Sequence, residues 1–236
     1  MVAQALKTGK GRNLFLCGKP GTGKTHALLY LLHVFRARAS GGAMNLRLVY
    51  VNAGLTRNPY FTLMEIVKQL GVAVPSSGWQ MTRLEQELER IIASVPVLVG
   101  IDEVDAILFK EREPLVYYLN RLPNVTLALV SNRFEDLAGV PARAKSSLQP
   151  VPVIFPPYTA EELGSILKRR ARAAFQPGAL PPKLVDLIAE EASRTGDIRV
   201  AFNIILTAGT LAEQADAERI SEKHLTDAAK IITYTA

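Results

Sequence analysis

The sequence predicts an α/β fold, with a five-stranded parallel sheet sandwiched by helices, followed by a small all-helical domain. Three observations predict it. Short, nearly continuous apolar runs alternate with helix-length segments as far as Pro156. A glycine-rich phosphate-binding loop sits where the first run gives way to the first helix. After Pro156-Pro157 the strand pattern stops and only helical patterns follow, which divides the chain into residues 1–156 and 157–236.

The apolar runs are Asn13–Cys17, Leu46–Asn52, Val95–Ile101, Val125–Ser131 and Val151–Phe155. Each is rich in β-branched residues and closes on a turn or polar end, as parallel strands do when helices cover both faces. The segments between them, Thr25–Ala39, Tyr60–Leu70, Thr82–Ala93 and Glu113–Arg121, read as helices. Beyond residue 156, Thr159–Phe175 opens with Thr159 as N-cap and Glu162 three residues on, a capping box. Lys183–Arg194, Asp197–Gln214 and a segment starting at Ser221 complete the helical part.

Composition sets outer bounds. The 236 residues are 48% hydrophobic and 21% charged, and the net charge is +6. That is ordinary globular material for one or two domains, with a basic balance that suits an acidic partner such as nucleic acid. Cys17 is the single cysteine, so an internal disulfide and a cysteine metal framework are excluded; a buried strand position is expected for it. No apolar run is long enough to span a bilayer, and a cytoplasmic, nucleoid-associated protein is expected.

The chemistry starts at Gly18-Lys19-Pro20-Gly21-Thr22-Gly23-Lys24-Thr25, with His26 following. Glycines let the backbone wrap with its N–H groups inward, and the helix N-terminus adds partial positive charge, so the loop cradles the phosphates of ATP or ADP. Lys24 can reach the β- and γ-phosphates, and the Thr25 hydroxyl can ligate Mg²⁺. Val97–Ile101 then ends in Asp102-Glu103, which puts two carboxylates at the carboxyl edge of the sheet. Asp102 is the candidate Mg²⁺ ligand through water, and Glu103 the candidate base for the attacking water. Asn132 ends the next strand, where its amide can orient that water or hydrogen-bond the γ-phosphate. In Gly196-Asp197-Ile198-Arg199, Asp197 is an N-cap and Arg199 a first-turn cation that opposes the helix dipole, which points to a phosphate partner. Arg170 lies in line with the apolar stripe Leu163, Ile166 and Leu167, placed either to snorkel at its end or to turn toward the nucleotide.

In this order the motifs resemble an AAA+ ATPase of the archaeal replication-initiator family, related to the origin recognition complex and cell division control protein six. The resemblance rests on Gly18–Thr25 as Walker A, Ile101-Asp102-Glu103-Val104-Asp105 as Walker B and Ser131-Asn132 as sensor 1. It rests also on Arg143–Leu148, on Ile154–Tyr158 leading into Glu161-Glu162-Leu163, and on Gly196-Asp197-Ile198-Arg199 as sensor 2. It implies a helical lid closing over ATP, with Tyr158 at the adenine and ribose, Arg170 as a second lid contact and Arg199 at the γ-phosphate. Ser147 stands where eukaryotic relatives carry an arginine finger, which leaves Arg143 or Lys145 as the cation acting in trans. Residues 58–82 match a DNA-contacting insertion. The family usually continues into a winged helix, and this chain stops after the lid. The implied function is an ATP-controlled, slowly hydrolysing initiator that binds double-stranded origin DNA and helps recruit the replicative helicase, with ATP-dependent homo-oligomers and no membrane partner. A helicase-loader ATPase working through protein contacts and a non-hydrolysing nucleotide switch are the alternatives.

Overall fold

The computed structural model describes residues 11–42, 44–133, 135 and 148–235. They form two compact units. One contains the chain up to Gly18 and Gly23–Phe155; the other contains Lys19–Thr22 and the chain from Pro156 onward.

The first unit is built on β1 (Leu14–Gly18), β2 (Arg47–Asn52), β3 (Val97–Asp102), β4 (Val125–Ser131) and β5 (Val151–Phe155). They lie in the order β2-β3-β4-β1-β5, and each adjacent pair is parallel. The central strands β3 and β4 are buried at every position, as their unbroken apolar sequences require. The exposed β5 is the far edge and tolerates Pro152, which has no N–H to offer a further strand.

Helices cover both faces. On one, α1 (Lys24–Ser40) packs through Leu28, Leu32 and Phe35 against Leu16, Leu98 and Val130. On the other, α3 (Pro59–Gln69), α4 (Met81–Ile92) and α5 (Phe109–Arg121) seal a larger core. In α4 the buried set Leu84, Leu88, Ile91 and Ile92 follows the i, i+4, i+7, i+8 stripe of an amphipathic helix. Asn13 pins the lower end of the sheet. Its Oδ1 accepts from Leu127 N–H at 2.8 Å, and its Nδ2 donates to Asn120 Oδ1 at 2.7 Å and Leu148 C=O at 2.9 Å.

Two helices depart from the sequence pattern. A single turn, α2 (Ala53–Thr56), follows β2 directly and is capped by Asn52, whose side chain accepts from Gly54 N–H at 2.7 Å. Four residues carry no periodicity, so the pattern missed it. The helix expected from Glu113 starts at Phe109 instead and carries Pro114 inside it. Its first turn is nucleated by bonds from the Glu111 and Arg112 N–H groups to Leu108 C=O, upstream of the proline.

The second unit holds α6 (Ala160–Ala174), α7 (Pro182–Ser193), α8 (Ile198–Gln214) and α9 (Glu222–Thr235) around their own core of Leu163, Leu167, Ile188 and Ile204. The expected capping box is present at Thr159 and Glu162.

Candidate nucleotide site

Parallel pairing brings the carboxyl ends of β1, β3 and β4 to one edge. Cys17 pairs with Ser131 across β1 and β4, and Asp102 pairs with Asn52 across β3 and β2. Cys17 itself is buried in β1, as expected.

β1 runs into the glycine loop at Gly18, which passes so close to β5 that a Cβ would sit 2.2 Å from Phe155 O. Gly23 caps α1 at φ 88, a left-handed conformation that glycine adopts without strain. The loop braces itself: Thr22 Oγ1 donates to Lys19 C=O at 2.8 Å, and Lys24 Nζ donates to Gly18 C=O at 2.8 Å. Lys24 is 6% exposed, so its ammonium is held over the loop rather than in bulk solvent. Thr25 and His26 follow in the first turn of α1, both exposed.

At the end of β3, Asp102 is 1% exposed. Its Oδ1 accepts from Glu103 N–H and its Oδ2 from the Tyr50 hydroxyl, each at 3.0 Å. Burial and the adjacent Asp102 carboxylate push the Tyr50 hydroxyl up to about 12. Glu103 turns the chain out of the strand at φ 51, a left-handed geometry that costs a non-glycine residue of order 1–3 kcal/mol. Its carboxylate lies over Gly54 at the start of α2. A 3₁₀ turn, Val104–Ala106, follows, and from it Asp105 grips Asn132 twice. Asp105 Oδ1 accepts from Asn132 N–H at 3.4 Å and Oδ2 from Asn132 Nδ2 at 3.2 Å.

The first unit thus gathers Gly18, Gly23, Lys24, Thr25, Asp102, Glu103 and Asn132 on one sheet edge. Tyr50, Asn52 and Gly54 belong with them and were not singled out in the sequence, and Asp105 was named there only within the Walker B run. Asp105 was there to be found as the third acid of Asp102-Glu103-Val104-Asp105. Tyr50 and Asn52 become candidates only once strand order places β2 beside β3.

In the second unit, Tyr158 packs on the helical core and Arg170 stacks its guanidinium 5.9 Å from the Phe202 ring centroid. That cation–π contact sets Arg170 beside an aromatic ring packed on the helical core. Arg199 has a partner in its own turn. The sequence leaves it without a structural reason at a helix N-terminus, yet Asp197 supplies one. Arg199 Nε lies 3.0 and 3.1 Å from the two Asp197 oxygens, and Nη2 lies 2.7 Å from Oδ2. The same carboxylate accepts from Arg199 N–H at 2.9 Å, so one side chain caps α8 and neutralises its first-turn cation. Arg143, with Lys145 and Ser147, lies outside the described residues.

Protein-family models match the chain in two places: an AAA domain over residues 7–137, and a Cdc6 AAA+ ATPase-type lid domain over residues 164–230. ORC1-type DNA replication protein 1 of Aeropyrum pernix is 34% identical across 95% of this chain and 60% of that protein. The chain belongs to the AAA ATPase family, and its helical part matches the Cdc6 type of lid. A second relative of the same description, from Sulfurisphaera tokodaii, is 31% identical over 97% of this chain and 59% of its own length. The structure of the Aeropyrum pernix ORC1 protein in complex with DNA superposes with a TM-score of 0.87, covering 98% of this chain and 62% of that one. The chain therefore spans about three fifths of the relatives it matches. Among the described residues, no helix is long and apolar enough to cross a membrane.

Proposed function

We propose that this AAA+ chain is an ATP-binding, slowly hydrolysing replication initiator that binds origin DNA under nucleotide control and helps recruit the replicative helicase. One observation carries the reading: Lys24, Asp102, Glu103 and Asn132 share one sheet edge, in a chain 34% identical to a replication protein whose structure holds DNA. Residues 1–156 serve as the nucleotide core and 157–236 as the lid.

Gly18–Thr25 and His26 hold the phosphates, with Lys24 exchanging the Gly18 carbonyl for phosphate oxygens. Thr25 and Asp102 suit Mg²⁺. Both offer hard oxygen donors, and each Asp102 oxygen accepts one hydrogen bond here, which leaves lone pairs for water-mediated ligation. Bound Mg²⁺ supplies charge neutralisation at the phosphates. Glu103 takes a proton from the attacking water, and Asn132 orients that water. Tyr158 contacts adenine and ribose, Arg170 adds a lid contact, and Arg199 trades the Asp197 carboxylate for the γ-phosphate. Arg143 is the cation acting in trans within a homo-oligomer. Residues 58–82 meet duplex DNA.

Titrating a fluorescent duplex with this chain, in ATP and in ADP and across a salt series, tests the reading. Binding that weakens with salt and differs between the nucleotides is expected. No duplex binding at low salt in either nucleotide refutes the initiator assignment for this chain. Unchanged turnover in Glu103→Gln refutes the assignment of the base.

A further inference from the structure

β2 is an edge strand, so one side of its backbone is open for pairing. At Tyr50 that side is met by a side chain. Tyr50 N–H donates to Gln69 Oε1 at 3.0 Å, and Gln69 Nε2 donates to Tyr50 C=O at 2.7 Å. One carboxamide thus offers the peptide what a neighbouring strand would. Its orientation is settled by Glu65, one turn back on α3, whose Oε1 accepts from the same Nε2 at 2.8 Å. With the amide reversed, oxygen would face two acceptors and Tyr50 N–H would face a donor.

From this anchored backbone the Tyr50 ring packs, partly buried, on the core beneath α1. Its hydroxyl donates to Asp102 Oδ2 at 3.0 Å, while Glu103 N–H holds Oδ1 at 3.0 Å. One donor on each oxygen fixes the plane of a carboxylate that is 1% exposed. Only one of those donors is local in sequence. The other comes from a strand whose open edge is bonded by the last residue of α3.

We propose that Tyr50 is a positioning residue for the Asp102 carboxylate, itself held by Gln69, so that the end of α3 sets how Asp102 presents its oxygens to Mg²⁺. The inference rests on the nucleotide-site reading above. Partners of metal-ligating carboxylates typically matter about 10- to 100-fold in metal affinity when removed. The path also has reach. α3 begins at Pro59, inside the 58–82 segment assigned to DNA, so a displacement of α3 arrives at Asp102 through two hydrogen-bonded steps.

The test is a Mg²⁺ titration of fluorescent-ADP binding, with a parallel measurement in EDTA and a thermal melt, on the whole chain. Tyr50→Phe keeps the ring and removes only the donor. It is expected to raise the half-saturating Mg²⁺ concentration about tenfold or more, with EDTA affinity unchanged and a single cooperative melt retained. Gln69→Ala is expected to move the midpoint in the same direction by less. The double variant is expected to match Tyr50→Phe alone, because Gln69 acts through Tyr50. A Tyr50→Phe midpoint equal to wild type overturns the proposal. So does equal weakening in EDTA, which marks a merely structural role, and so does additivity of the two substitutions. If wild-type binding ignores Mg²⁺, the metal assignment falls and this inference with it, while the duplex titration still decides the initiator reading separately.

Discussion

Replacing Gly54 with alanine separates the folding of the first unit from the placement of Glu103. Gly54 is the second residue of α2, and in a helix alanine is favoured over glycine by up to about 1 kcal/mol. The backbone therefore gains from the change. The side chain meets an obstacle, because the new Cβ would stand 2.2 Å from Glu103 Oε2 and 2.9 Å from Asn52 Oδ1. The nearer of the two is the far end of a flexible side chain, so the Glu103 carboxylate is the group that yields. It must retreat by about 1.2 Å, from 2.2 Å to the 3.4 Å at which ordinary contact begins. A misplacement of that size costs a catalytic group about 10²-fold in rate, or about 2.7 kcal/mol of barrier. The assay is single-turnover ATP hydrolysis beside nucleotide binding and a thermal melt. The expected result is a chemical step about 10²-fold slower, with affinity and melting temperature retained. Wild-type turnover in a well-folded Gly54→Ala variant would refute the role of Glu103 as base in this geometry.

Other substitutions probe separate links. Asn13→Ala removes the acceptor for Leu127 N–H and a donor to Leu148 C=O, both buried, at about 1–3 kcal/mol each; urea unfolding should show a loss of about 2–6 kcal/mol, and a loss near zero contradicts the pinning role. Asp105→Ala frees the Asn132 amide and should slow turnover roughly tenfold without weakening ATP binding; a further drop on adding Asn132→Ala would show that Asp105 does not act through Asn132. The Tyr118 hydroxyl is pushed well above its usual range by burial first, then by the nearby Glu89 and Glu85 carboxylates. A raised folded-state value means that the stabilisation is complete below about pH 10 and is lost as pH climbs beyond it. Tyr118→Phe should flatten that alkaline decline in urea midpoints, and an unchanged slope would count against it.

Much of this fold was legible because its signals are local. Val125–Ser131 and Val151–Phe155 read to the residue, since continuous β-branched runs with polar ends leave little freedom in where a strand stops. The glycine loop and Asp102-Glu103 were equally plain, because the phosphate cradle and the acidic strand end are each contiguous in sequence. What escaped depends on neighbours across the sheet. Tyr50 matters through a carboxylate 52 positions later, and Gln69 through a backbone 19 positions earlier. No periodicity encodes either link. Arg199 shows a different failure: Asp197 was credited with capping alone, although a carboxylate two residues away has oxygens enough to bind the guanidinium as well.

The left-handed turn at Glu103 has a consequence for anyone selecting variants of this protein. Glycine or asparagine would sit at φ 51 with less strain than glutamate, so the chain holds a residue there that its own backbone disfavours. A screen for thermal robustness alone would reward those replacements by up to about 1–3 kcal/mol while discarding the carboxylate assigned to activate water. Stability and turnover pull position 103 in opposite directions, and libraries scored on heat tolerance should drift toward well-behaved, silent binders of nucleotide.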